Sequence, residues 1–355
     1  MAIEGRMREM ATEVRGYSHQ IQFLFGAGAS IRNILASLGE PGWRVRRIIS
    51  VDQARAVVEV GLAGSGAGEA VLKISRNPAA ARVMERERKL LSQLRADPRL
   101  DQLLSILPEE LSWGRMGEAA FVVERVLPGL DGRTLLDDPI RTTRMQSAAL
   151  DVAAVLHGRT ARIVTVDPDL TNRWIDEPLR QIASLRAMYP WVALHASALK
   201  RLGEMLREPL LGRRLAVSWV HGDFFPGNLL MSPGGSSVRG LVDWDLAAAD
   251  DIPVLDAMQL VIGTNLIRDR SELGQMVLRL LDGNGFSAGE AEALERAQAQ
   301  FEPHGLSMRE AVILNWLRHI GCNLSKSAHF SQHRRWLKEN VVTVLEALNP
   351  RRLAS

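Results

Sequence analysis

The spacing of apolar residues changes once along this 355-residue chain, and that change limits the folds open to it. "WRVRRIISV" (43–51) alternates Trp43, Val45, Ile49 and Val51 against Arg44, Arg46 and Ser50, with Arg47 breaking the pattern. That is the period of a half-exposed antiparallel strand. "ARAVVEVGL" (54–62) and "EAVLKI" (69–74) predict two more strands, joined by the Gly-rich "AGSGAG", and two others follow around 109–115 and 119–125. Between them Asn77-Pro78 reads as an N-cap and first helical residue, opening a helix to about Leu94. "LPGLDG" is a linker, and from Thr134 onward the apolar spacing is three and four. "RMQSAALDVAAVLHG" carries a stripe of Met145, Ala149, Val152 and Leu156, with Gly158 as its stop. Helices are predicted over 171–187, 191–208, 254–266, 270–282, 287–300, 307–327 and 331–348. The clear strands among them flank "SPGGSS", at 228–231 and 239–243. Strands first and helices after predict an α+β chain of two lobes, a small antiparallel-sheet lobe at 41–127 and a larger, mainly helical lobe at 128–355. Residues 1–40 read as a helical extension.

A chain of this length exceeds what one small core organises, which agrees with two lobes. No apolar run is long enough to span a bilayer, so no membrane partner is expected. Glu4, Glu9 and Glu13 spoil a secretory leader. The one cysteine, Cys322, excludes an internal disulfide framework and points to a reducing, cytoplasmic setting. A net charge of +3 is too small to suggest nucleic acid. Oligomeric state is not legible here.

"VHGDFFPGNLL" (220–230) keeps His221, Asp223 and Asn228 between apolar flanks, with Pro226 and Gly227 forcing a turn. Twenty residues past Asp223, "GLVDWD" places Asp243 at the end of a short apolar strand. A carboxylate and an amide oxygen brought near a second carboxylate make a hard-oxygen site suited to Mg²⁺ and phosphates. Asp223 is then left to orient a hydroxyl and accept its proton as it attacks phosphorus. His221 holds the loop by hydrogen bonds. The competing reading makes these residues turn formers on a hairpin; the Val-Asp pair downstream tells against it.

The first half carries an independent signal. Only five of the 44 basic residues are lysines, and the first, Lys73, lies on a predicted strand. On the following helix Val83, Leu90, Leu91 and Leu94 form one face by the 3.6 period, and Glu87 falls on it, with Glu85 pointing the other way. A carboxylate on a buried stripe is costly unless paired, and Lys73 is the partner expected. The alternative is a Glu that snorkels at a groove edge.

With these motifs the chain resembles the aminoglycoside phosphotransferase and choline kinase-like family, which shares the protein-kinase fold; the resemblance runs from about 43 to 265. It implies Asp223 as base, Asn228 and Asp243 as Mg²⁺ ligands and Asp245 as a supporting acid. "VLHG" resembles the Leu-His pair that ends an upstream helix, and "DIPVLDAMQL" implies that Asp256 braces the catalytic loop through backbone hydrogen bonds. "FVVERVLPG" resembles the hinge, implying that backbone groups of Glu124 and Val126 meet a nucleotide base. Lys73 and Glu87 would serve the phosphates of ATP or GTP, and the loop joining the first and second strands, Ser50, Val51, Asp52 and Gln53, would cradle them. The glycines at 64–68 join the second and third strands and are left as a hairpin turn. The function implied is transfer of the terminal phosphoryl group to a hydroxyl of a small molecule. The alternative is a kinase-like nucleotide-binding protein without turnover.

Other signals are weaker. "FLFGAGAS" imitates a dinucleotide-binding fingerprint, but Ile31 stands where close packing wants glycine. His329 and His333 share a helical spacing without a third zinc ligand. The acceptor is open among antibiotics, sugars and amino alcohols. Asp167, Asp169, Asp176, Glu177, Asp250 and Asp251 could line an acidic cleft, or sit on solvated surface; Trp174, Trp191 and Trp316 could stack on a sugar, or pack in the core.

Overall fold

The computed structural model describes residues 34, 43–52, 54–62, 68–326 and 328–348. The chain divides into two compact units, one of Met1–Ala96 with Leu107–Pro128, the other of Asp97–Ile106 with Gly129–Ser355.

The first unit is built on five strands: β1 (Trp43–Val51), β2 (Arg55–Leu62), β3 (Ala70–Ser75), β4 (Glu110–Met116) and β5 (Ala119–Arg125). They pair antiparallel throughout in the order β1-β2-β3-β5-β4. Alternation sends Ala56, Val58, Val60, Leu72, Ile74, Phe121 and Val123 into one core. Lys73, opposite Val122 in the ladder, points to the other face. Helix α1 (Pro78–Ala96) follows β3, with Asn77 Oδ1 accepting from Ala80 N at 2.8 Å. Its buried face holds Ala80, Ala81, Met84, Glu87, Leu91 and Leu94. Val83, expected on that face, is 42 % exposed. Adjacent positions lie about 100° apart on a helix, so a small rotation exchanges Val83 for Met84 and keeps Glu87 inside.

The second unit is mainly helical. Its elements, in order, are β6 (Leu130–Asp131), α2 (Pro139–Thr160), β7 (Arg162–Thr165), α3 (Glu177–Ser184), α4 (Ala196–Leu210), β8 (Arg214–Val220), β9 (Leu229–Met231), β10 (Val238–Leu241), β11 (Ala248–Asp251), α5 (Val254–Asp269), α6 (Leu273–Leu281), α7 (Ala288–Ala299) and α8 (Met308–Lys326), with short helical turns between some of them. The small strands form two sheets, β10-β9-β6 and β11-β8-β7. Two sequence expectations need correction. Helix α2 does not stop at Gly158 but runs to Thr160, because a glycine inside a helix costs only about 1 kcal/mol relative to alanine and does not by itself end it. Strand β8 was not expected: "LAVSWV" is buried at every position and so shows no alternation to read. A single large core joins Trp174 and Trp316 to Leu202, Val217, Met258, Leu317 and Val341, so both tryptophans are packing residues. The Trp191 side chain, the His329 side chain and residues 1–33 with "FLFGAGAS" lie outside the described residues.

Candidate active site

In the first unit, Lys73 Nζ donates to Glu87 and to Glu124 at 3.1 Å each. All three are buried, at 6, 3 and 6 % exposure. The Glu87 partnership follows from the buried stripe of α1. The family resemblance implied a role for the Glu124 backbone alone. Its side chain is drawn to Lys73 because Glu124 faces Val71 in the β3–β5 ladder, which makes it the diagonal, same-face neighbour of Lys73. The alternation of "AFVVER" held that signal. Burial pushes the Glu124 carboxyl above its ordinary value, only partly opposed by the charge of Lys73.

The connection between β1 and β2 does not include the first two residues, Ser50 and Val51, of the loop that the family resemblance implied. Ser50 and Val51 belong to β1, paired with Val57 and Ala56, so the turn begins at Asp52. The Asp52 carboxylate accepts from Ala54 N at 2.6 Å and Arg55 N at 2.7 Å, closing an Asx turn. Gln53 lies outside the described residues, as do residues 63–67. At the end of β5, Val126 N donates to Glu69 O over a long 3.4 Å.

In the second unit, β8 delivers His221, Gly222 and Asp223 at its end, where a short 3₁₀ turn, Pro226–Asn228, follows. Asp256, on the first turn of α5 and 1 % exposed, holds this loop from beneath. Its Oδ2 accepts from His221 N at 2.7 Å, and its Oδ1 from Gly222 N at 2.9 Å. His157, near the end of α2, bonds Asp256 Oδ2 through Nε2 at 3.1 Å. Burial by itself would raise the Asp256 carboxyl, but the His157 hydrogen bond and the charges of His157, Arg318 and His221 outweigh it and hold it below the usual carboxylate range.

The loop also fixes its own polar groups. Asn228 Nδ2 donates to Asp223 O at 2.8 Å and to Asp223 Oδ2 at 3.3 Å, which turns the amide nitrogen toward Asp223 and its oxygen away from it. Val242 N donates to Asn228 O at 3.0 Å, and His221 Nε2 bonds Val242 O at 3.0 Å. Asp243 is therefore tied through its neighbour to both ends of the 221–228 loop. It sits two residues past β10 with φ of 66°, in the left-handed region that a non-glycine residue enters at a cost. Asp245 is buried beyond it. His221 packs on Trp244 with ring centroids 4.5 Å apart.

The acids considered for a cationic cleft are largely occupied. Asp250 pairs with Arg162 at 2.7 Å, Asp251 with Arg318 at 3.4 Å and Asp176 with Arg207, while Asp167 caps a helical turn by accepting from Leu170 N. His333 accepts from Trp336 N at 3.0 Å, a capping role.

The model of the phosphotransferase enzyme family matches residues 45–301, most of the chain. The chain belongs to that family. It is a small-molecule phosphotransferase with a protein-kinase-like fold. The phosphotransferase is similar to the ADP-bound aminoglycoside phosphotransferase APH(2'')-Ib, at 12 % identity and a TM-score of 0.55, covering 89 % of this chain and 96 % of the other. It is also similar to aminoglycoside phosphotransferase APH(3'')-Id from Streptomyces rimosus, at 17 % identity and a TM-score of 0.50, covering 83 and 98 % of the two chains. The same Streptomyces enzyme in complex with ADP and streptomycin matches at 16 % identity and a TM-score of 0.50, with the same coverage. At such identities the likeness is one of fold. No curated protein matches the sequence. Among the phosphotransferase's described residues no helix is long and apolar enough to cross a membrane.

Proposed function

We propose that this phosphotransferase moves the terminal phosphoryl group of ATP, or GTP, to a hydroxyl of a small molecule, with Asp223 as general base and Mg²⁺ held by Asn228 and Asp243. The observation that carries this reading is the loop itself. Asn228 is bonded to Asp223, the two residues just before Asp223, His221 and Gly222, are held by Asp256, and Asp243, next to the Val242 that bonds Asn228 O, has a costly backbone conformation. Such strain is retained where the surrounding structure fixes a side chain for use.

The donor set suits Mg²⁺. It consists of a carboxylate and an amide oxygen, the hard-oxygen donors this ion takes. Mg²⁺ characteristically takes one or two protein ligands and completes its octahedron with phosphates and water. When bound, it would neutralise charge developing on the transferring group.

The residues would then divide the work. Asp223 accepts the proton of the acceptor hydroxyl as its oxygen attacks the γ-phosphorus and the bond to the β–γ bridging oxygen breaks. His221 and Asp256 hold the loop in place, and Asp245 supports Asp243. Lys73, fixed by Glu87 and Glu124, meets nucleotide phosphates, with Ser50 to Gln53 as the adjoining turn. The 3.4 Å bond of Val126 N is one that a purine base could replace, with the Glu124 backbone beside it. The ADP named in two structural neighbours supports a nucleotide donor. The lone cysteine fits a cytoplasmic setting.

Asp223→Asn tests the assignment. It should lower Mg²⁺-dependent ATP turnover by at least about 10²-fold while nucleotide affinity stays within about threefold. Turnover near the wild-type value in that variant would remove Asp223 from the role of base.

A further inference from the structure

Lys73 is more fully committed than a phosphate-binding cation needs to be. Its Nζ lies 3.1 Å from both carboxylate oxygens of Glu124 and 3.1 Å from Oε1 of Glu87. An ammonium has three N–H donors, and these three oxygens match them in number. A phosphate oxygen reaches Nζ by displacing one of them. Glu124 is the acid placed to yield. Among the described residues Lys73 is its only side-chain partner, whereas two carboxylates stand close to it: Glu87 across the ammonium, and Glu110 directly opposite in the β4–β5 ladder. Burial pushes the Glu124 carboxyl up, Lys73 pulls it down, Glu87 pushes it up again, and Arg55 of β2 adds the smallest influence, downward.

The remaining charges nearby have work of their own. Arg88 of α1 pairs with Glu110 at 2.5 Å, and Arg125 pairs with Glu109 at 2.6 Å. Arg95 of α1 donates to the carbonyls of Leu107 and Pro108, and Lys89 is exposed. Within the first unit a cavity of about 760 Å³ is lined by Glu87 and Glu124 and by these α1 and β4 groups, but not by Lys73. A proton from water therefore reaches the carboxylates without passing the ammonium. With both acids ionised, one ammonium faces two carboxylates, and the phosphates of a nucleotide add further negative charge. A buried carboxylate that loses its cation is neutralised rather than left charged.

We propose that Glu124 is a positioning residue that yields Lys73 to the nucleotide phosphates by taking up a proton, so that nucleotide binding and protonation of Glu124 are coupled. This rests on Lys73 meeting the phosphates. The proton comes from the buffer, binds the Glu124 oxygen that Nζ releases, and returns to the buffer when the nucleotide leaves; no covalent bond of the nucleotide changes. Glu87 keeps its bond and holds the ammonium in place. The Glu124 carboxyl then titrates at a higher pH in the complex than in the free protein. Affinity accordingly rises as pH falls between those two points and is level outside them.

Calorimetric titration of ADP with Mg²⁺ from about pH 6 to about pH 9, in buffers of different ionisation enthalpy, counts the protons taken up. Adenosine, which lacks phosphates, tests the reading beneath the proposal. It should bind more weakly than ADP; equal affinities would show that no phosphate is met and would overturn that reading, and the proposal with it. With ADP the tighter ligand, the expected result is proton uptake by the wild type within this range and its loss in Glu124→Gln. That variant should bind ADP at least about tenfold tighter than the wild type at the alkaline end, the two converging toward the acid end. A residue that only supported the fold would shift affinity alike at every pH. No uptake by the wild type, the same uptake in folded Glu124→Gln protein, or weaker ADP binding by that variant throughout would overturn the proposal while leaving the role of Lys73 intact.

Discussion

Lys73→Met would withdraw the ammonium that Glu87 and Glu124 share and leave two buried carboxylates facing each other. Breaking a buried pair from one side typically costs about 3–5 kcal/mol, and the expected loss in urea unfolding is of that size. Glu124→Gln should cost less, because Lys73 keeps Glu87 and the Gln is already neutral where burial disfavours charge. A larger loss for Glu124→Gln than for Lys73→Met would contradict this ordering. Asp256 has the opposite titration behaviour. Its folded pKa is lowered, so the stability it contributes is present above the ordinary carboxylate value near 4 and disappears as pH falls through the lower folded value. The melting temperature of Asp256→Asn should therefore fall less steeply with acid than that of the wild type; parallel acid limbs would show that Asp256 carries no such linkage. Of these side chains, Glu87 was legible from one helical stripe, while the Glu124 side chain was not. A diagonal neighbour across a ladder depends on register, and register is a tertiary fact.

At the scale of elements, the proposed catalytic loop depends on a close approach that glycine permits. Gly222 has φ of +85°, and a Cβ there would lie 2.2 Å from the Leu246 carbonyl oxygen, a backbone atom that cannot swing away. Gly212 has φ of +79° with open space around it. Alanine at either site enters the left-handed region, at about 1–2 kcal/mol. Gly222→Ala should exceed that range in chemical denaturation and Gly212→Ala should stay within it; equal costs would show that the crowding is relieved cheaply. The five strands of the first sheet were legible to within a residue or so because half-buried strands alternate. Strand β8 was not, since complete burial erases alternation. The turn at Pro226-Gly227 and the strand pair around "SPGGSS" were legible from turn chemistry. Alternation already carried β1 to Val51; it was the resemblance that placed Ser50 and Val51 in the turn, and their pairing with Val57 and Ala56 keeps them in the ladder.

For the whole molecule, the change of apolar period near residue 130 reflects a real segregation, with a sheet core in one unit and a helical core in the other. The family assignment covers parts of both units, since the matched residues run from 45 to 301. The central claim is that Asp223, Asn228 and Asp243 form a metal-dependent phosphoryl-transfer centre. Calorimetric titration of a non-hydrolysable ATP analogue, with and without Mg²⁺, into wild-type and Asp243→Ala protein tests it most directly. The expected result is wild-type affinity that rises at least about tenfold with Mg²⁺ and a variant in which that increment is gone. The same Mg²⁺ increment in both proteins, or none in the wild type, would contradict it.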